Sequence, residues 1–416
     1  MPDLRERFDY DAVLDNVALP AYDDLRREAK RRRARRTVSL GGLAVLMLVA
    51  AVGVPTLLLA PTPRPATGAQ PVPLEEPLPD DNYRPFGGFS FFDARHGYLL
   101  YESSGDGYRN NDECLMAMRF TDDGGESWSD LRAVPCVPMG GGGLVGGPRM
   151  TGPESFVQVS GDENVFYRTR DAGRTWQRYR PRTRTAESFP DGVAPQRVCA
   201  GSQECADDNR LEWYDPETGD RMRLAKGPDM GTLRTGQIAA DGSVWVSGYA
   251  DDGRYAVAVT RDNGRSWTTV PVDLKGKILE GPNVATYDGK VGYLVVEGKG
   301  TDSEGNTYQR SIMRTDDGGE SWGRVPTEDL PIDYFGVFDA IVTPDGALLI
   351  PGEQAEDDSL TWYVSHDGGV SFAPAKDLPV DGIGHAPGLY YGHSSNGAYY
   401  VSEDAVHWRK LDGLGG

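Results

Sequence analysis

Gly319-Glu320-Ser321-Trp322-Gly323 has the G-x-S-x-G spacing that presents a serine nucleophile where a strand turns sharply into a helix. Gly141-Gly142-Gly143-Leu144-Val145-Gly146 has the G-x-G-x-x-G spacing of a loop that cradles phosphates at a helix N-terminus. Neither stands between a strand and a helical pattern, so both lack the context their chemistry needs. His96, His366, His385, His393 and His407 show no spacing to a triad partner. Carboxylates crowd the segments 102–113, 201–209, 250–253, 298–307 and 352–359, and oxygen-rich loops of this kind can hold Ca²⁺ or face a cationic group or a sugar. No Asp-x-Asp-x-Asp-Gly loop occurs, and Asp302-Ser303-Glu304-Gly305-Asn306 is only a fragment of one. The preferred reading is therefore a solvated negative surface, with Ca²⁺ as the alternative and no cofactor or metal ligand assigned. Cys114, Cys136, Cys199 and Cys205 fit neither paired C-x-x-C knuckles nor a Cys/His zinc site.

The elements that must position these groups are strands. The 416 residues include 53 Gly and 29 Pro, with 10% aromatic residues. That balance suits many short strands joined by turns and excludes a helical bundle, a coiled coil or wholesale disorder. An internal repeat gives the spacing of the turns. Thr121-Asp122-Asp123-Gly124-Gly125-Glu126-Ser127-Trp128 recurs around Asp171 and Trp176, around Asp262 and Trp267, around Asp317 and Trp322, and around Asp367 and Phe372. A remnant around Asp404 and Trp408 is one residue short. Ser321 of the G-x-S-x-G match lies inside this repeat, which makes it a turn residue. In each copy the Asp is expected to accept hydrogen bonds from turn amides, the Gly to take φ > 0, and the Trp or Phe to start the next strand.

The pattern Ser/Thr-x-Asp-x-Gly-x-Ser/Thr-Trp/Phe resembles the Asp box, the bacterial neuraminidase repeat found in β-propellers of sialidases, sortilin-type receptors, xyloglucanases and photosystem-assembly factors. The resemblance covers residues 86–412 and implies an all-β propeller. Successive box aspartates are 48, 91, 55, 50 and 37 residues apart. The gap of 91 is two ordinary spacings and contains 211–220, a strand and turn that has lost its box, so seven blades are expected. Sialidases of this superfamily clamp a substrate carboxylate with three arginines and use a Tyr-Glu nucleophile pair with an Asp acid/base. The first clamp arginine lies before the first box in an aromatic-Arg-Ile/Leu-Pro motif. Tyr83-Arg84-Pro85-Phe86 has that position but lacks the aliphatic residue, which leaves Arg84 as the candidate substrate-binding residue if the chain is a glycoside hydrolase.

The N-terminal region addresses the molecule. Val38–Ala60 is 23 residues without a charge, enough for a spanning helix, and Lys30-Arg31-Arg32-Arg33-Ala34-Arg35-Arg36 precedes it with no basic cluster after it. The expected organisation is a cytoplasmic arm (1–36), a single transmembrane helix (37–60), a Pro-rich linker (61–85) and an extracytoplasmic seven-bladed propeller (86–416). The chain's net charge is −20, and ten Lys/Arg against eight Asp/Glu in the first 36 residues leave −22 for the rest. Such a charge disfavours nucleic acid as a partner. The use of 8 Lys against 35 Arg points to a GC-rich bacterial coding bias. Four cysteines on the outer side of a membrane favour disulfides: Cys114 with Cys136 across the first box hairpin, and Cys199 with Cys205 across a short turn. The function expected is a membrane-tethered module that binds a protein or glycan outside the cell, with a sialidase-like glycoside hydrolase as the alternative.

Overall fold

The computed structural model describes residues 83–103, 116–135, 147–159, 165–193, 195–197, 211–233, 237–274, 284–296, 311–327, 340–353, 360–375 and 378–414. All lie within the compact unit Thr67–Gly416. The expected arm, membrane helix and linker up to residue 82, and all four cysteines, fall outside the described residues. Among those described, no helix is long and apolar enough to cross a membrane.

The described strands form seven sheets of four or five strands, the blades of an all-β propeller. Blade one runs Tyr83–Phe91, Gly97–Ser103, Met116–Thr121 and Arg132–Val134 in antiparallel order. Its first strand starts at Tyr83, so residues 83–85, assigned above to the linker, are already sheet. Its last strand starts four residues after Trp128 because the box turn continues to Leu131 before pairing resumes.

Strands form here because β-branched and aromatic residues alternate or run continuously between Gly-centred turns. Val244–Tyr249 and Tyr255–Thr260 are buried along nearly their whole length, as expected of central strands covered on both faces by neighbouring blades. The first and last blades close the ring by packing and hydrogen bonds, with no strand shared between them among the described residues. Phe91 and Leu99 of the first blade share a core with Leu389, Val401 and Leu411 of the last, and the Tyr101 hydroxyl donates to the Leu414 carbonyl at 3.0 Å. Every blade is built from its own contiguous stretch of chain.

Blade three departs from the pattern. Leu211–Tyr214 pairs antiparallel with Gln196–Arg197 and with Arg221–Leu224, and Arg221–Leu224 pairs in parallel with Thr183–Ala186. In the other blades the outermost strand follows a hairpin turn. Here it precedes the blade, so no third-to-fourth-strand hairpin exists and no box is needed. The turn 215–220 uses a different local device: Asp215 Oδ1 accepts from the Thr218 amide at 2.7 Å and from its hydroxyl at 2.9 Å, with Gly219 at φ +71°.

Candidate functional site

The box residues serve the scaffold. In the first box the Thr121 hydroxyl donates to Asp123 Oδ1 at 2.8 Å and accepts from the Gly125 amide at 2.9 Å. Asp123 also accepts from the Ser127 amide at 2.9 Å and hydroxyl at 2.5 Å. The same staple recurs at Asp171, Asp262, Asp317 and Asp367. In the short copy of the seventh blade, Asp404 takes the His407 amide and imidazole Nδ1, both at 2.7 Å, in place of a hydroxyl. The residue before each box glycine is left-handed too, including Ala172 at φ 54° and Asn263 at φ 57°, which the sequence reading did not foresee.

Each box glycine presses on the preceding blade. A Cβ on Gly264, at φ +85°, would lie 2.8 Å from the Phe189 ring. Arginines reach across to the same turns: Arg132 donates to the Ala172 carbonyl at 2.6 Å, Arg261 to that of Gly318 at 3.0 Å, and Arg409 to that of Gly124 at 2.9 Å. The indole N–H groups of Trp128, Trp176, Trp267 and Trp322 are buried without an acceptor, so these rings hold their place by packing.

Box carboxylates titrate low. Burial raises the Asp123 pKa, but hydrogen bonds from Ser127 and Thr121 outweigh it and hold the group at about 2. The Ser321 hydroxyl leads the donors that hold Asp317 at about 2. Burial alone pushes His385 down from 6.5 to about 4. Both kinds of group bind more protons unfolded than folded over their windows, so stability falls as pH drops. The His385 contribution is lost as pH falls from 6.5 to about 4, and that of Asp317 as it falls from 3.8 to about 2. Thermal melts across this range are expected to show both phases. A His385→Gln variant should flatten the upper one and Asp317→Asn should shrink the lower one, to which the other box carboxylates also contribute; melts of the variants parallel to the wild type at every pH would contradict the assignment.

The ring of inner strands encloses a cavity of about 510 Å³. Its walls are largely apolar, with Phe91, Trp213, Ile238, Val284, Ile341 and Ile383 drawn from six different blades. Phe92, Thr151 and Pro387 carry it into the first-hairpin turns. These turns share a face with the boxes: the Gly124 amide donates to the Arg95 carbonyl at 2.9 Å and the Gly318 amide to that of Lys290 at 2.8 Å. The acidic segments read above as a solvated surface, or alternatively as a site for Ca²⁺ or a sugar, lie largely outside the described residues. Of those loops, 250–253 is described, and Asp252 there is engaged by the Arg254 amide at 3.0 Å and by Nε at 2.7 Å. Among the described residues no group of three or more His, Cys, Asp or Glu is placed to hold a metal ion.

The polar groups of the cavity are few. Glu212 is the one carboxylate among its described lining residues, and its side chain, 1% exposed, is bonded by Nε of both Arg221 and Arg223 from the neighbouring strand. Arg149 is the one cation among its described lining residues, because His385, with its pKa pushed down to about 4, is neutral near pH 7. Burial raises the phenol pKa of Tyr98 and of Tyr391, whose hydroxyl lies 3.3 Å from that of Ser90. Arg84 lies outside this wall: its Nε donates to Glu102 Oε1 at 2.8 Å on the adjacent strand, and Glu102 is almost fully buried. His96 bonds Asp93 within its own turn at 2.8 Å. Neither Glu212 nor the cavity was legible in the sequence.

Seven blades, five of them carrying a stapled Ser/Thr-x-Asp-x-Gly turn, fit the Asp-box β-propeller superfamily. No family model matches the chain, and no curated protein does. Among solved structures it is similar to the GH74 xyloglucanase from Xanthomonas campestris at 18% identity and a TM-score of 0.32, over 75% of this chain and 44% of that one. It is similar to Trypanosoma rangeli sialidase at 11% identity and a TM-score of 0.34, over 80% and 55% of the two chains. A structure of YCF48 bound to D1 peptide gives 14% identity and a TM-score of 0.30, over 80% and 82%. The chain thus spans less than half the length of the xyloglucanase it matches.

Proposed function

We propose that the protein is a membrane-tethered, extracytoplasmic propeller that binds a protein or glycan partner without turning it over. The observation that carries this reading is the chemistry of the axial cavity. Hydrolysis of a glycoside needs an acid and a base or nucleophile at one point. The cavity's described carboxylate is neutralised by two arginines, and burial shifts the phenols of Tyr98 and Tyr391 away from the nucleophilic phenolate. Apolar walls with a few fixed polar groups suit recognition instead. A panel of sialyl and neutral 4-methylumbelliferyl glycosides is expected to yield no fluorophore, while immobilised protein retains a glycan or cell-envelope component. Release of fluorophore that is abolished by Arg84→Ala would overturn the reading in favour of a sialidase-like hydrolase.

The tether follows from the basic cluster at 30–36 beside the uncharged span 38–60. Protease added to intact spheroplasts is expected to cut the Pro-rich linker, and unreduced peptide maps of the released propeller to join Cys114 with Cys136 and Cys199 with Cys205. A linker cut only after lysis, or four free thiols, would refute this placement.

A further inference from the structure

Residues 174–184 carry five arginines and no acidic residue, in a chain of net charge −20. They span the outer strand of blade two, Gln177–Tyr179, the connection 180–182, and the outer strand of blade three, Thr183–Ala186. Exposure alternates along the first part: Arg178, Arg180 and Arg182 are exposed, and Tyr179 and Pro181 are partly buried. Pro181 holds Arg180 extended, so the alternation continues through the connection. At the rise of an extended backbone the Cα atoms of these alternate arginines are about 6.7 Å apart, and Arg178 to Arg184 spans about 20 Å.

Several neighbouring arginines of these two blades are engaged. Arg184 Nε bonds Asp220 at 2.7 Å, and the Arg182 backbone amide bonds the same carboxylate at 3.0 Å. Arg168 lies over the Tyr179 ring and donates to the Thr218 carbonyl, and Arg170 bonds the Glu217 carbonyl at 3.4 Å. The side chains of Arg178, Arg180 and Arg182 have no partner among the described residues.

Both strands are also open at one edge. Gln177–Tyr179 is hydrogen-bonded only to Phe166–Thr169, and Thr183–Ala186 only to Arg221–Leu224, among the described residues. An open edge is a template for another strand, and a row of like charges on it repels a second copy of the same edge. We propose that this edge docks an extended acidic peptide from a partner protein, one carrying Asp or Glu at alternate positions opposite Arg178, Arg180 and Arg182. Main-chain ladder bonds supply affinity and the charge spacing supplies selection. A single-stranded nucleic acid would need exposed aromatic faces for its bases, and here Trp176 is buried while the Tyr179 hydroxyl is bonded to the Gly219 carbonyl at 2.9 Å. A long polyanion would run past the stripe onto an acidic surface. The site is independent of the axial cavity and does not rest on the function proposed for it.

The test uses the full-length chain in detergent and a fluorescein-labelled (Glu-Thr)₄ peptide, read by anisotropy at low salt. Binding is expected, with (Gln-Thr)₄ and the block peptide Glu₄-Thr₄ at least about tenfold weaker, and a triple Arg178→Ser, Arg180→Ser, Arg182→Ser variant also about tenfold weaker. The triple arginine-to-lysine variant should retain most of the affinity, and hydrogen exchange at 177–186 should slow when peptide is bound. Undiminished binding to the serine variant with an unchanged melting temperature would overturn the proposal. So would equal binding of (Gln-Thr)₄, binding without slowed exchange, or tighter binding of oligothymidylate that the serine variant abolishes.

Discussion

Replacing Glu212 with alanine is expected to destabilise the propeller by about 3 kcal/mol, a large share of a typical folding free energy. The carboxylate lies on Leu211–Tyr214, directly opposite Arg223 and diagonal to Arg221 on the next strand, and both guanidinium groups are about three-quarters buried. Alanine would leave two like charges side by side without the group that neutralises them. Glutamine keeps the shape and one acceptor oxygen and should cost roughly half as much. Urea unfolding of the wild type and both variants measures this. A Glu212→Ala loss below about 1 kcal/mol would mean that solvent screens the arginines and that the carboxylate is free to act in the cavity.

Trp176 gives the second large effect. Its ring is fully buried among Leu100, Met118, Phe120 and Phe156 of the first two blades, at the end of the second box. Truncation to alanine is expected to cost about 3–5 kcal/mol through lost burial and an unfilled cavity. Phenylalanine should cost only about 1–2 kcal/mol, because the indole N–H has no acceptor to lose and blade six already uses Phe372 at the equivalent position. The measurement is again equilibrium unfolding. If Trp176→Phe proved as damaging as Trp176→Ala, the indole N–H would have a structural role that packing does not account for.

The sequence by itself determined the turns, and through them the architecture. A box is a local device: its hydrogen bonds link residues two to four positions apart, such as Thr121 with Gly125 and Asp123 with Ser127, so residue type and spacing suffice to specify it. Repetition of that device at blade-length intervals then fixes the number of blades. The strand and turn at 211–220 were legible for the same reason, since the Asp215 carboxylate bonds residues two and three positions on. Non-local pairing decided the rest. The parallel union of Thr183–Ala186 with Arg221–Leu224 joins segments 38 residues apart, and a parallel pair has no connecting turn to announce it. The axial cavity draws small groups of residues from strands of all seven blades around the ring, so no periodicity in the chain reports it. Glu212 reads along the sequence as one acid beside a tryptophan. Only the cross-strand register that sets Arg221 and Arg223 against it turns a candidate catalytic acid into a neutralised structural group.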